Sequence, residues 1–489
     1  MAVQALEKIV SSKNITDLTD GGESLEEYLK DLSFVNRIRP RCVVKPQNAG
    51  EVQALIKWAN ETRTPLVSIS SGPPHFRGDT VPSIGGAVIV DLSGMNRIIR
   101  VDRRNRIVMI EAGVTFTELI PRLEQEGIRL NMPLLPRKTK SVIGSMLERE
   151  PVIMPLYQWD ATDPLTCIEV IFGTGDLFRT GSAAGPGTLE EQWAAKQAQV
   201  MPMGPGQADF ARVVQGSQGT IGIVTWSTVR CELLPSMQKA FLVGSQNYER
   251  LSEFVYRLLW LKIVDECLVM NSSNLAAILA KSPSEYNNLR IALPPWVLFF
   301  CLAGYKYFPE ERVAYQEKEM IRNAQRLSIE PGSSISGVSA YEVLRMLAKP
   351  AEEPYWKLRY KGGFQDIFFL TTLDRVPVFV EVMYDIAAQH GYASSDISIY
   401  VQPMVQGTSC HCEFNLFYDP TNAKETAKIR DIYIKASEAL MNAGAFFSRP
   451  YGAVVDMVYR RDAETTAALR KVKPIFDPNN IMNPGKLCF

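Results

Sequence analysis

Residues 66–78 read LVSISSGPPHFRG, an apolar run that stops abruptly at a turn of small residues and prolines. A strand that breaks into Ser70, Ser71, Gly72, Pro73, Pro74 and His75 offers a concave turn whose main-chain N–H groups turn inward together. Such a nest of main-chain amides binds a pyrophosphate without a fixed cationic side chain. The same composition also occurs in ordinary loops, so the assignment draws its weight from the surrounding segments.

At 489 residues the chain has room for two or three domains with large cores. Lys+Arg and Asp+Glu are both 53, which argues against a nucleic acid or an anionic membrane held by bulk charge. The balance suits a small substrate that is neutral or singly charged. Cysteines at 42, 167, 231, 267, 301, 410, 412 and 488 are too scattered for a disulfide framework, and reduced thiols are expected. MAVQALEKIV lacks the pattern of a signal peptide. The apolar run 254–270 is interrupted by Arg257, Lys262, Asp265 and Glu266, and the run 291–305 is short and holds Pro294 and Pro295. Neither reads as a membrane span, and a cytoplasmic location is expected.

Residues 1–34 read as a short helical arm, with Asp20 or Ser24 as a cap. From 39 onward the pattern is α+β. Strands are expected at 42–44, 65–70, 87–91 and 107–112, with helices capped by Asn48 and Thr115. Gly144, in SVIGSMLERE, permits close approach of a ligand to the backbone. A hairpin turns at 173–176, a loop is expected over 181–207, and Gly216–Thr225 is a glycine-punctuated turn entering a β-branched strand. Beyond Pro235 two β-α-β-β-α-like halves predict one antiparallel sheet covered by helices on one side. The expected divisions are an arm over 1–34, a cofactor domain over 35–235, a cap or substrate domain over 236–440, and a returning segment over 441–489.

Six segments in order, PLVSISSGPPHFRG, AVIVDLSGMNRI, VIGSMLEREP, CIEVIFGTGDLFRTG, QGSQGTIGIVT and FDPNNIMNPGK, together resemble the vanillyl-alcohol oxidase and p-cresol methylhydroxylase family of FAD enzymes. The resemblance implies a two-part PCMH-type FAD-binding domain under a cap domain, with FAD as cofactor. It implies that Ser70, Ser71, Gly72, Pro73, Pro74 and His75 cradle the pyrophosphate, and that Ser141, Gly144 and Ser145 form a second pyrophosphate and ribose loop. Gly219, Thr220, Ile221 and Ile223 match the adenine-side strand, and Asn483 and Lys486 the loop beside the flavin ring.

The same resemblance assigns chemistry to single residues. Asp160 matches a carboxylate near flavin N5, and Arg449 an arginine that holds a phenolate. The family's tyrosines are replaced here by Ser448 and Arg77, with Tyr451 as a possible substitute. Arg77 together with Arg449 also suits a carboxylate substrate, while a salt bridge at a domain seam is the plainer role for Arg77. His411 stands where some relatives tether FAD, or in the wall of the active site, or simply in the core. Period two puts Cys410 and Cys412 on the opposite face. His75 lies one position beyond the tether of another branch, so non-covalent FAD is expected. No metal site is expected: Gln406–His411 departs from the histidine pattern of the metal-bearing 2-hydroxy-acid relatives.

The expected activity is hydride transfer from a para-substituted phenol or a related benzylic or allylic substrate. The alternatives are a 2-hydroxy-acid dehydrogenase and a non-catalytic electron-relay subunit. Expected partners are a small substrate, O2 or a redox protein as electron acceptor, and further copies of the chain in a homo-oligomer.

Overall fold

The computed structural model describes residues 2–17, 28, 29, 31–156, 163–204 and 209–489. Asp160, Asp20 and Ser24 lie outside the described residues.

The first sheet contains β1 (Ile15–Asp17), β2 (Cys42–Val44), β3 (Leu66–Ile69) and β4 (Val88–Asp91), in the order β1-β2-β4-β3. The last three strands of that order are parallel, and β1 runs antiparallel to β2. Parallel neighbours need a crossover, and the helix Ala49–Thr62 supplies one. Asn48 caps it by accepting from Glu51 N, and Val52, Leu55, Ile56 and Ala59 are buried along one face.

A second, antiparallel sheet follows. It contains β5 (Ile98–Asp102), β6 (Ile107–Glu111), β7 (Leu165–Phe172), β8 (Leu177–Arg179) and β9 (Gly222–Arg230), in the order β5-β6-β9-β7-β8. Thr115 and Glu118 form a reciprocal box at the start of the helix Phe116–Gln125. Leu119 and Leu123 turn fully inward there, whereas Ile120 is half-buried. The stretch 181–207 is not all loop, because Leu189–Ala194 is helical. Thr188 and Glu191 close a second box at its start, a Thr-x-x-Glu signal present in the sequence.

The largest sheet is antiparallel throughout. Its strands are β10 (Met237–Ser245), β11 (Cys267–Asn271), β12 (Trp296–Gly304), β13 (Gly363–Thr371), β14 (Ile397–Met404) and β15 (Ser409–Tyr418), in the order β10-β12-β11-β14-β15-β13. Phe241, Val269, Phe300, Phe369 and Phe414 pack on one face with residues of the long helices Tyr248–Trp260, Pro309–Arg326, Val376–Gln389 and Ala423–Asn442. The other face is covered too, which corrects the expectation of a one-sided sheet. Leu268, Met270, Phe299 and Phe417 join a core that includes the short helices Ser272–Leu279, Pro283–Ala292 and Ala340–Leu347 and reaches β6 and β9. Runs such as VLFFCLA in β12 carry no polar alternation because both faces are buried.

After the helix Ala463–Phe476 the chain returns to β3. Leu66 N donates to Ile481 O at 2.7 Å, and Asn483 N donates to Leu66 O at 2.8 Å. Among the described residues no helix is long and apolar enough to cross a membrane.

Candidate active site

Two connected cavities lie where these sheets meet. A trough of about 110 Å³ is lined by Gly144, Gly216, Gly219 and Ile223. It shares Ser68, Ile69, Ser70, Asp79 and Glu148 with a chamber of about 150 Å³ that reaches under the largest sheet. Gly219 has φ +72°, and a Cβ there would stand 2.8 Å from Ser68 Oγ. A side chain at this point would narrow the trough between its two walls.

The predicted cofactor residues divide by position. Ser70, Ser71 and His75 line the chamber, and Gly144, Gly219 and Ile223 line the trough. Ser141 accepts from Gly144 N at 2.9 Å and donates to Ala112 O at 2.6 Å, fixing the second loop. Its own N–H donates to Ser71 Oγ at 3.0 Å, which joins the two loops. Ser145 Oγ donates to Glu150 at 2.6 Å. Thr220 and Ile221 sit behind the trough wall; the Thr220 hydroxyl donates to Ser217 O at 2.7 Å. Asn483 Nδ2 donates to Gln218 O and Asp79 O, and Lys486 Nζ to Gly78 O, so both side chains hold loops together. Gly72 N donates to Thr139 O at 2.9 Å, and Pro73 and Pro74 carry no N–H. The amide nest expected of this turn is therefore incomplete.

Two charged networks face the chamber. In the first, Arg77 bonds Glu148 at 2.9 Å and Glu150 at 3.3 Å, and Lys140 meets the same carboxylates at 2.8 and 3.5 Å. Arg77 is thus engaged in ion pairs, both partners falling within the expected 35–235 segment. Burial opposes the Arg77 cation, but Glu150, Tyr451 and Glu148 outweigh it and raise its pKa. Burial likewise opposes the Glu150 anion, yet Lys140, Arg77 and the Ser145 hydroxyl bring it down to about 2.

The second network spans β13, β14 and β15. Glu413 takes the Lys357 ammonium on one oxygen and the Tyr400 hydroxyl, at 2.7 Å, on the other. His411 Nε2 lies 3.2 Å from that second oxygen and 3.3 Å from the Tyr400 hydroxyl. Burial first, then the cations Arg449 and Lys357, outweigh Glu413 and bring the His411 pKa down to about 4. Glu413 is held ionised by Lys357 and His411 against its burial, so neutral His411 carries its proton on Nε2 and donates it to the carboxylate. Cys410 and Cys412 point to the opposite face, into the helix-covered core. Asp366 completes the group, 3.7 Å from Lys357, with its pKa raised by burial.

Arg449 stands apart from both networks. It is 6 % exposed, and its guanidinium lies 4.5 Å from the Phe368 ring centre. Arg77 lies 5.0 Å from the same ring and 5.2 Å from that of Tyr451. Arg449 Nη1 is buried with no hydrogen-bond partner among the described residues. Burial, and then Arg77, lower its pKa.

Lys357, Asp366, Tyr400 and Glu413 were not singled out from the sequence. A signal was present: Tyr400 and Gln402 on β14, and His411, Glu413 and Asn415 on β15, are polar residues at period two inside apolar strands. Tyr400 pairs across with Glu413, and Gln402 with His411.

A glycine-walled trough thus opens into an aromatic and charged chamber within a mixed α+β fold. Residues 40–181 match the FAD binding domain family, and residues 371–487 match FAD linked oxidases, C-terminal domain. A glycolate oxidase subunit of Bacillus subtilis is 22% identical over 490 residues, covering 98% of this chain and 96% of its own. A D-lactate dehydrogenase of Anaerostipes hadrus is 24% identical over 495 residues, covering 96% and 94%. The crystal structure of p-cresol methylhydroxylase with substrate bound superposes with a TM-score of 0.83 at 20% identity, over 100% of this chain and 96% of that one. The chain is an FAD-linked oxidase or dehydrogenase with the fold of p-cresol methylhydroxylase, and FAD is its cofactor.

Proposed function

We propose that this enzyme oxidises a para-substituted phenol, or a related benzylic or allylic substrate, in the chamber beneath the largest sheet. Arg449 carries the proposal. A buried guanidinium with no ion-pair partner among the described residues favours an anionic ligand, and a phenol, with an ordinary pKa of ~10, becomes one beside a cation. The phenolate pushes electron density toward the para position, which eases departure of hydride from the attached carbon. FAD, when bound, supplies the hydride acceptor.

Phe364, Tyr355 and Trp356 line the same chamber and offer walls for an aromatic ring. Ser70, Ser71, His75, Gly144, Gly219 and Ile223 are the residues proposed to hold the cofactor. Asp160 remains the proposed proton acceptor, and Tyr451 a proposed neighbour of the phenolate. Anaerobic mixing with 4-alkylphenols and aryl alcohols tests this function. Bleaching of the flavin absorbance is expected, and its absence with every such compound removes the proposal.

A 2-hydroxy acid is the second proposal, supported by the glycolate and D-lactate enzymes among the relatives. Arg77 and Arg449 would together hold its carboxylate. The engagement of Arg77 by Glu148 and Glu150 weighs against this arrangement. Bleaching by D-lactate or D-2-hydroxyglutarate, with silence toward phenols, would select it. Readmitting O2 to the reduced enzyme then separates an oxidase from a dehydrogenase that needs a redox protein.

A further inference from the structure

We propose that Arg137 is the cationic anchor of the FAD diphosphate, making up for amides that the phosphate turn lacks. Six residues form the turn from Ser70 to His75. Pro73 and Pro74 have no N–H, and the Gly72 N–H is given to Thr139 O, so at most three amides remain for a ligand. A diphosphate carries two negative charges, and a nest of amides balances them only through summed partial charges. Half of this nest is missing.

Arg137 stands where the deficit lies. Its Nη1 donates to Gly72 O, in the turn itself, at 2.7 Å, and to Thr139 Oγ at 3.5 Å. The guanidinium lies 5.1 Å from the Phe76 ring centre and lines the chamber beside Ser70, Ser71 and His75. It is 8 % exposed, and no carboxylate lies within ion-pair distance among the described residues. Its cationic neighbours differ in this respect: Arg77 and Lys140 are each paired with Glu148 and Glu150. A buried guanidinium held by one carbonyl, one hydroxyl and one ring is poorly compensated until an anion arrives. Burial accordingly lowers its pKa. The planar fork still has donors to give, in the geometry that matches phosphate oxygens. His75, the other basic group in the turn, is neutral and adds no charge.

The inference concerns the cofactor alone and is independent of which substrate is oxidised. The phosphorus-31 NMR spectrum of the holoenzyme reads the diphosphate directly, whether or not the flavin is covalently linked. In Arg137→Gln both diphosphate resonances should move from their wild-type positions, with partial return in Arg137→Lys. Apoprotein titrated with FAD and with riboflavin provides the second readout. Arg137→Gln should weaken FAD roughly 10- to 100-fold, as expected for a charge-assisted hydrogen bond, and leave riboflavin, which has no phosphate, unchanged. If Arg137→Gln does not fold, Arg137→Lys and the salt response of the wild type decide. Added NaCl should weaken FAD more than riboflavin, and the lysine variant should retain that difference. Unmoved phosphorus resonances, or equal losses for FAD and riboflavin, would overturn the proposal.

Discussion

Two of the three histidines, His75 and His411, are buried and neutral, and acidification should expose the energetic consequence. Burial brings His75 from the ordinary 6.5 down to about 3, with help from Arg137 and Lys140, and His411 to about 4. A base with a depressed folded pKa binds a proton in the unfolded chain first. Stability therefore falls as pH drops below 6.5 and levels off near the folded value. At pH 5 each imidazole should lower stability by ~2 kcal/mol relative to neutral pH. Glu148 and Asp366, raised by burial, work in the opposite sense, so the whole curve is a sum. A difference between variants isolates one group. Urea unfolding of the cofactor-loaded protein at pH 7 and pH 5 should show the wild type losing ~2 kcal/mol more than His411→Gln between the two. Carbon-13 labelling of the histidines provides a direct check, with each signal assigned by substitution. A His411 resonance titrating near 6.5, or equal losses in the two proteins, would refute the burial argument.

Arg449→Met should lower kcat/KM for a 4-alkylphenol by roughly 10- to 100-fold, the worth of a charged hydrogen bond, with little change in melting temperature. Stopped-flow reduction measures it, and an unaltered rate would take the phenolate away from Arg449. Gly219→Ala places a Cβ at φ +72° and 2.8 Å from Ser68 Oγ. It should cost about 1–3 kcal/mol of stability and weaken FAD binding, read by thermal unfolding and flavin fluorescence. Lys473 Nζ is buried among Thr220 O, Asp477 and Met482 O. Lys473→Met leaves Asp477 without its cation and should destabilise the holoenzyme by about 3–5 kcal/mol, measurable as an earlier urea midpoint.

The elements with strong local signals were legible. Asn48 and Thr115 cap the helices they precede, and the apolar spacing in 52–59 picks out the buried face. The flavin fold was legible through six ordered segments, none decisive alone. The two-sided covering of the largest sheet was not, because a continuous apolar run does not say which helices will lie on it. The charged lining of the chamber was hidden for a different reason. Glu148, Lys140 and Arg77 come from separate loops, and Lys357 is six residues before β13, 56 from the Glu413 it neutralises. Such pairs have no periodicity to read. The phosphate turn is instructive in the other direction: its prolines were visible as turn-formers, while their missing N–H groups matter only once Gly72 is seen to be engaged elsewhere.

The seam between Leu66 and Ile481–Asn483 joins parts of the polypeptide more than four hundred positions apart. During synthesis the edge of β3 therefore waits, open, while more than four hundred further residues emerge. The wall of the trough that Asn483 ties to Gln218 and Asp79 is finished only when that late stretch docks. A nascent chain stalled before residue 480 should therefore bind the cofactor weakly however well its first two sheets have formed.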